Sequence, residues 1–161
     1  MSTDESFHAL VSNLDYPMFI VAVEADGERD GCLVGFVTQA SIDPPRLLVM
    51  LSKANRTYRI ARAADSLVVH FLHEDNEELA RLFGEETGDD TDKFNACEWD
   101  HGVSGPTIGG TRGWVGGEIL DRLDGGDHVA HLLAVGEACV GRSGPQLGFQ
   151  SVREMEPGHP A

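Results

Sequence analysis

GCLVGFVTQASIDPPRLLVMLSKANRT, from Gly31 to Thr57, is the stretch around which the chain is organised. Cys32 to Val37 is an apolar, β-branched run. Thr38, Gln39 and Ser41 follow with short polar side chains, and Asp43-Pro44-Pro45 forces a turn. Arg46 to Leu51 is a second apolar run. It ends in Ser52-Lys53-Ala54-Asn55-Arg56-Thr57, which reads as the start of a helix. Two strands joined by a polar corner bring donors to one end of a sheet. A helix N-terminus adds free N–H groups and a positive dipole end, which suit a phosphate above all.

Outward from this stretch, the pattern is of short strands with a few helices between them. Phe7, Leu10, Val11 and Leu14 are spaced i, i+3, i+4, i+7 and mark an amphipathic helix after a Thr3/Asp4 cap, expected to cover one end of a barrel. Pro17 breaks it, and Met18 to Val23 is a strand. Asp26 to Gly31 is a turn leading back antiparallel. Asn55 caps a helix to about Ala64, with Tyr58 and Ala61 inward. Leu67 to Leu72 is a further strand. Asp75 caps Glu77 to Phe83, and Gly84 ends that helix. Glu85 to Asp92 reads as an acidic loop, and Gly102 to Gly110 as a Gly-rich one. Phe94 and Trp99 either plug the core or roof a pocket. Trp114 to Leu123 and Val129 to Val140 form a hairpin around Asp124-Gly125-Gly126-Asp127. Gly116-Gly117 suggests a bulge. Leu147-Gly148-Phe149 adds a short segment against the core, and the last residues are expected to fray.

The 161 residues suit one domain, with 1–15 as an N-terminal helix and 142–161 as a C-terminal extension. A 41% apolar share fits a globular chain. The net charge of -15, from 27 acidic and 12 basic residues, makes nucleic acid and anionic lipid poor partners. Cys32, Cys97 and Cys139 lack the spacing of a disulfide framework or a zinc knuckle. Cys32 and Cys139 read as buried hydrophobes, and a reduced, cytoplasmic setting follows. No signal peptide is expected from the acidic Met1-Ser2-Thr3-Asp4-Glu5. No apolar run approaches the roughly 20 residues needed to span a bilayer.

Several segments together resemble the flavin reductase-like, FMN-binding split-barrel family. They are Thr38-Gln39-Ala40-Ser41-Ile42-Asp43-Pro44-Pro45, Leu47 to Leu51, Ser52-Lys53-Ala54-Asn55-Arg56-Thr57, Glu77 to Phe83, Asp92-Lys93-Phe94 and Gly126-Asp127-His128. Each is short; their order and spacing, over Tyr16 to Val140, carry the resemblance. It implies a mainly β (α+β) fold, a split antiparallel β-barrel with short capping helices. It implies a homodimer binding FMN or FAD near the subunit interface. The reaction implied is hydride transfer from NAD(P)H to flavin, with a monooxygenase as possible recipient of the reduced flavin.

The resemblance assigns Ser52, Lys53, Asn55 and Thr57, with Arg56 adding charge, to the flavin phosphate. A capped helix with a solvated basic flank is the plainer reading of the same residues. Thr38, Gln39 and Ser41 fall at the ring edge, or are ordinary turn chemistry. Gly35, Phe36 and Val37 belong to the same ring site. The family usually has small Ser/Ala/Thr residues where this chain has Leu33-Val34-Gly35-Phe36-Val37. Phe36 therefore either stacks near the ring or narrows the site. His128 is assigned to the nicotinamide side, or is a polar residue at a strand start. No metal is assigned: His70 and His73 fall on opposite faces of a strand, and His101, His131 and His159 lack partners at ligand spacing. Two alternatives stay open, a flavin-binding module without reductase turnover and a deazaflavin-dependent enzyme of similar barrel.

Overall fold

In the computed structural model, which describes residues 1–156, the strand that anchors both cores is β1 (Phe19–Ala25). The expectations for the tail beyond, His159 included, lie outside the described residues. Phe19 to Val23 are all buried, which is why this run is apolar without alternation. The pleat sends Phe19, Val21 and Val23 into one core and Met18, Ile20 and Ala22 into a second. Asp26 and Gly27, with φ of 53° and 78°, turn the chain into β2 (Glu28–Val34). Paired positive φ values are what a tight hairpin of matching twist requires.

The sequence reading runs one strand from Cys32 to Val37 into a polar loop. The structure divides the chain differently. β2 stops at Val34, Gly35 and Phe36 form a link, and Val37–Ser41 is a strand of its own, β3. β3 pairs antiparallel with β4 (Arg46–Ser52) through the Asp43-Pro44-Pro45 turn, with Thr38 opposite Leu48 and Gln39 opposite Leu47. Its polarity reflects a solvent-facing edge strand rather than a loop.

Seven strands form the main sheet in the order β2-β1-β5-β8-β9-β4-β3, with β5 (Ser66–Phe71), β8 (Gly113–Asp124) and β9 (His128–Val140). β2 and β3 occupy opposite edges, yet only two residues separate them in the chain. The sheet must therefore curl until its edges approach, which makes an antiparallel barrel split along one seam. The register slips between Gly116 and Gly117, at the bulge expected there, and a Cβ on Gly117 would strike the Ala134 backbone.

Inside the curl, Val21, Val49, Leu51, Leu67, Val69 and Leu133 are fully buried, and α2 (Arg56–Ala61) closes one end with Ile60 and Ala61. On the other face, Ile20, Val68, Leu72, Phe83, Phe94 and Ile108 pack beneath α3 (Glu77–Glu85) and the segment carrying Leu147 and Val152. Burying each such large side chain is worth about 1.5–3 kcal/mol. His70 ties this layer together: its Nδ1 donates to the Ile20 carbonyl at 2.9 Å and its Nε2 accepts from the Ile108 N–H at 2.8 Å. Phe94 plugs this second core, and Trp99, half-buried, packs against it while lining a surface depression with Ile108 and Trp114.

Other expectations are corrected. α1 (Thr3–Val11) is capped by Ser2, not Thr3 or Asp4, through a capping box with Glu5. Its apolar stripe covers no barrel end in this chain: Phe7, Leu10 and Leu14 are 58%, 73% and 55% exposed. Asn76, not Asp75, stands at the cap of α3, and Gly84 lies inside that helix. A Cβ there would come within 2.8 Å of Leu33 Cδ2, so Gly84 serves close packing rather than termination. The Gly102 to Gly110 loop contains parts of a small hairpin, β6 (Trp99–His101) and β7 (Pro106–Ile108). Cys139 is exposed, although Cys32 is buried as expected. No described helix is long and apolar enough to cross a membrane.

Candidate functional site

The seam between β2 and β3 opens into a cavity of about 400 Å³. Cys32 to Phe36 form one wall. Met50, Ser52, Asn55 and His128, where β4 ends and β9 begins, form another. Tyr16, Met18 and the segment from Phe149 to Met155 complete it. Register explains part of this assembly, since Ser52 is the strand partner of His128. The Phe36 carbonyl accepts from Met50 N at 2.9 Å, which fastens the two-residue link to β4.

A row of rings crosses the mouth. Phe36 lies 5.1 Å from His128 and 6.1 Å from Tyr16, and Tyr16 stacks on Phe149 at 4.7 Å with planes 16° apart. Gly35 is required beneath it, because a Cβ there would run into the Tyr16 ring. His128 Nδ1 lies 2.7 Å from Asp127 Oδ1, and this contact holds the Asp127 carboxyl below its usual range. Nε2 is left without a protein partner among the described residues. Cys32, in the wall, is an inert thiol: burial pushes it up to about 11.

Sequence reasoning named eleven residues, and the structure brings five of them to this cavity: Gly35, Phe36, Ser52, Asn55 and His128. Val37, Thr38, Gln39 and Ser41 instead line a separate depression of about 560 Å³ with Phe19 and Phe71. Lys53 and Thr57 line neither. Lys53 Nζ is bound to Asp124 Oδ2 at 2.8 Å, and Thr57 is buried with its hydroxyl against the Cys32 thiol. Arg56 is also committed, donating to the Arg29 carbonyl at 3.1 Å and lying 3.6 Å from Asp30.

The turn expected to present free N–H groups bonds four of them within itself or to its neighbours. Lys53 N donates to the Asp127 carbonyl and Ala54 N to the Ser52 hydroxyl. Asn55 N donates to the Ser52 carbonyl, and Thr57 N to Asn55 Oδ1 at 3.0 Å. Tyr16, Met18, Phe149, Arg153 and Met155 escaped the sequence reading. Met18 reads only as the start of a strand, Tyr16 and the C-terminal residues show no periodic pattern, and only the apolar Leu147-Gly148-Phe149 run hints that the C-terminal segment packs inward.

The lining fits a flavin. It offers flat apolar surface, hydroxyl, amide and imidazole groups, one permanent cation and no carboxylate. A cleft of about 550 Å³ along α3 is a poorer host for a phosphorylated ligand, because Asp75, Glu78, Glu85, Glu86 and Glu98 line it.

Comparison with known proteins gives the following. Residues 11–153 match the model of a family described as "Flavin reductase like domain". The chain is 30% identical to a "Probable flavin reductase" of Rhizobium meliloti, over 68% of its own length and 35% of the other's. It is 28% identical to the reductase component of a 4-nitrophenol 4-monooxygenase/4-nitrocatechol 2-monooxygenase of Rhodococcus opacus, over 86% and 74%. The chain thus spans about a third of one relative and three quarters of the other. A flavin reductase domain protein from Arthrobacter superposes with a TM-score of 0.84 at 23% identity, over 98% of this chain and 96% of that one.

Proposed function

This chain belongs to the flavin reductase-like family, and on that premise we propose that it is an NAD(P)H-dependent flavin reductase holding FMN or FAD in the cavity at the seam. The observation that carries this reading is the lining itself: an aromatic wall beside Ser52, Asn55 and His128, in an acidic protein, with no carboxylate. A bound flavin supplies the two-electron acceptor; the protein supplies alignment and exclusion of water. Met18, Val34 and Phe36 give flat apolar surface that displaces water from a ring face. Ser52 and Asn55 place polar side chains in the wall at the end of β4. His128, braced by Asp127, offers Nε2 to orient the nicotinamide so that its C4 hydride faces flavin N5.

Thr38, Gln39 and Ser41 stand outside this constellation, in the separate depression along the edge strand. The exposed stripe of Phe7, Leu10 and Leu14 supports a homodimer, in which a second subunit covering the edge strand would give Thr38, Gln39 and Ser41 a role. Relatives named as reductase components support a monooxygenase as recipient of reduced flavin. The free cysteines support a reducing, cytoplasmic setting.

Anaerobic titration tests the proposal. Protein reconstituted with FMN or FAD should turn yellow and bleach on addition of NADH or NADPH. A preparation that stays colourless with both flavins would refute the site. One observation favours a second reading, a flavin-binding module without turnover: the Phe149–Tyr16–Phe36–His128 row crowds the mouth where a nicotinamide would enter. Bound colour that persists with both donors would establish that reading.

A further inference from the structure

Resting on the flavin-site reading, we infer that Arg153 is the cation that holds the phosphate of the bound nucleotide. Among the described residues lining the cavity, Arg153 alone carries a permanent charge. The two cations nearest the expected clamp are already engaged, Lys53 by Asp124 and Arg56 by Asp30 and the Arg29 carbonyl. The N–H groups of Lys53, Ala54, Asn55 and Thr57 are bonded within that turn and its neighbours, which leaves a phosphate little backbone to bind there. A phosphate entering here meets the Ser52 hydroxyl on one wall and, among the described residues, its counter-charge on the other.

The segment bearing Arg153 is built to hold it there. Phe149 N donates to the Tyr16 carbonyl at 2.8 Å, Gln150 N to Asp15 Oδ1 at 2.9 Å, and Gln150 Nε2 to the Leu14 carbonyl at 2.7 Å. Val152, the preceding residue, is buried in the second core. Arg153 Nη1 donates to Gln150 Oε1 at 2.8 Å, which orients the guanidinium. Glu154 Oε1 lies 3.8 Å from Nε on a 94% exposed side chain, a looser contact than the 2.8 Å by which Asp124 holds Lys53. Nη2 has no protein partner among the described residues. A planar guanidinium fixed on an anchored turn suits bidentate contact with a phosphate.

Phosphate reaches this cavity from two sources, the flavin tail and the nicotinamide dinucleotide. Flavin fluorescence quenching by Arg153→Gln, Arg153→Lys, Lys53→Gln and unmodified protein separates them, with FMN and riboflavin as probes. NADH is then compared with the phosphate-free donor N-benzyl-1,4-dihydronicotinamide. Loss of one charge-assisted contact predicts about a tenfold loss of FMN affinity in Arg153→Gln, with riboflavin unchanged and partial rescue by Lys. That result assigns the flavin tail. A tenfold rise in KM for NADH alone, with FMN affinity intact, assigns the dinucleotide. Equal losses for FMN and riboflavin, or a phosphate-selective loss in Lys53→Gln and not in Arg153→Gln, would overturn the assignment. If the unmodified protein binds neither flavin, the site reading itself falls, and this assignment with it.

Discussion

His70 should make the fold acid-sensitive well above the range where carboxylates titrate. It is fully buried, with both ring nitrogens committed to backbone groups on β1 and β7. Nε2 accepts the Ile108 N–H, so protonation there would set two donors against each other in a dry site. Burial accordingly pulls the imidazole down from 6.5 to about 4. The folded state thus refuses a proton that the unfolded chain accepts. Stability from this group is complete above about pH 6.5 and is lost as the pH falls toward 4, at about 1.4 kcal/mol per unit. Over the whole window the loss is about 3 kcal/mol, and between pH 7.5 and pH 5 it is about 2 kcal/mol. The assay is urea unfolding at several pH values for unmodified protein and for His70→Gln, whose amide can donate to Ile20 and accept from Ile108 without titrating. His131, also lowered by burial, is present in both and cancels. The variant should start less stable and lose about 2 kcal/mol less on acidification to pH 5. Parallel stability curves, or a folded-state His70 titrating near its ordinary value by NMR, would refute the reasoning.

His128→Ala should slow anaerobic single-turnover reduction about tenfold or more while leaving flavin affinity within about twofold; an unchanged rate would reduce His128 to a polar rim residue. Gly35→Ala should displace the Tyr16 ring and weaken flavin binding with little change in melting temperature, and unaltered affinity in a flavin titration would show that this contact does not shape the cavity. Lys93 and Asp30 are each 2% exposed and 3.5 Å apart, and Lys93 also donates to the Gly31 carbonyl, so Lys93→Met, which leaves Asp30 paired with Arg56 at 3.6 Å, should destabilise by about 2–3 kcal/mol in urea unfolding. Adding Asp30→Asn should recover part of that loss; a double variant no better than the single would count against a stranded charge. Maleimide should label exposed Cys139 quickly and reach Cys32 only on unfolding, and rapid labelling of Cys32 by mass spectrometry would contradict its burial.

The strands announced themselves where burial makes a run apolar. Met18 to Val23 and Leu67 to Leu72 were legible for that reason, and so was the β8–β9 hairpin with its Gly-rich turn. β3 was not, because an exposed edge strand carries the same Thr, Gln and Ser as a loop, and pairing rather than composition defines it. Gly84 misled because glycine marks both helix ends and close contacts, and only the position of Leu33 decides between them. In the site, Ser52, Asn55 and His128 were found because they lie next to one another in the motif and in the register. Lys53 has the right chemistry for a phosphate, but Asp124, seventy-one residues away, takes its ammonium. Arg153 lies beyond every motif, and only the folded chain brings it to Tyr16 and Phe36.

The strand order also sets a timetable for synthesis. β2, β1 and β5 form one patch of sheet, and β4 with β3 another; the hydrogen bonds joining them pass only through β8 and β9. On a ribosome, a nascent chain that has reached residue 110 holds two unjoined fragments with their inner edges bare. The seam cannot close until the last long hairpin emerges and zips them together, and the wall at Phe149 to Arg153 arrives later still. Ligand binding is thus among the last properties this polypeptide acquires, and a free cofactor in the cell can rescue only chains whose translation has already passed that hairpin.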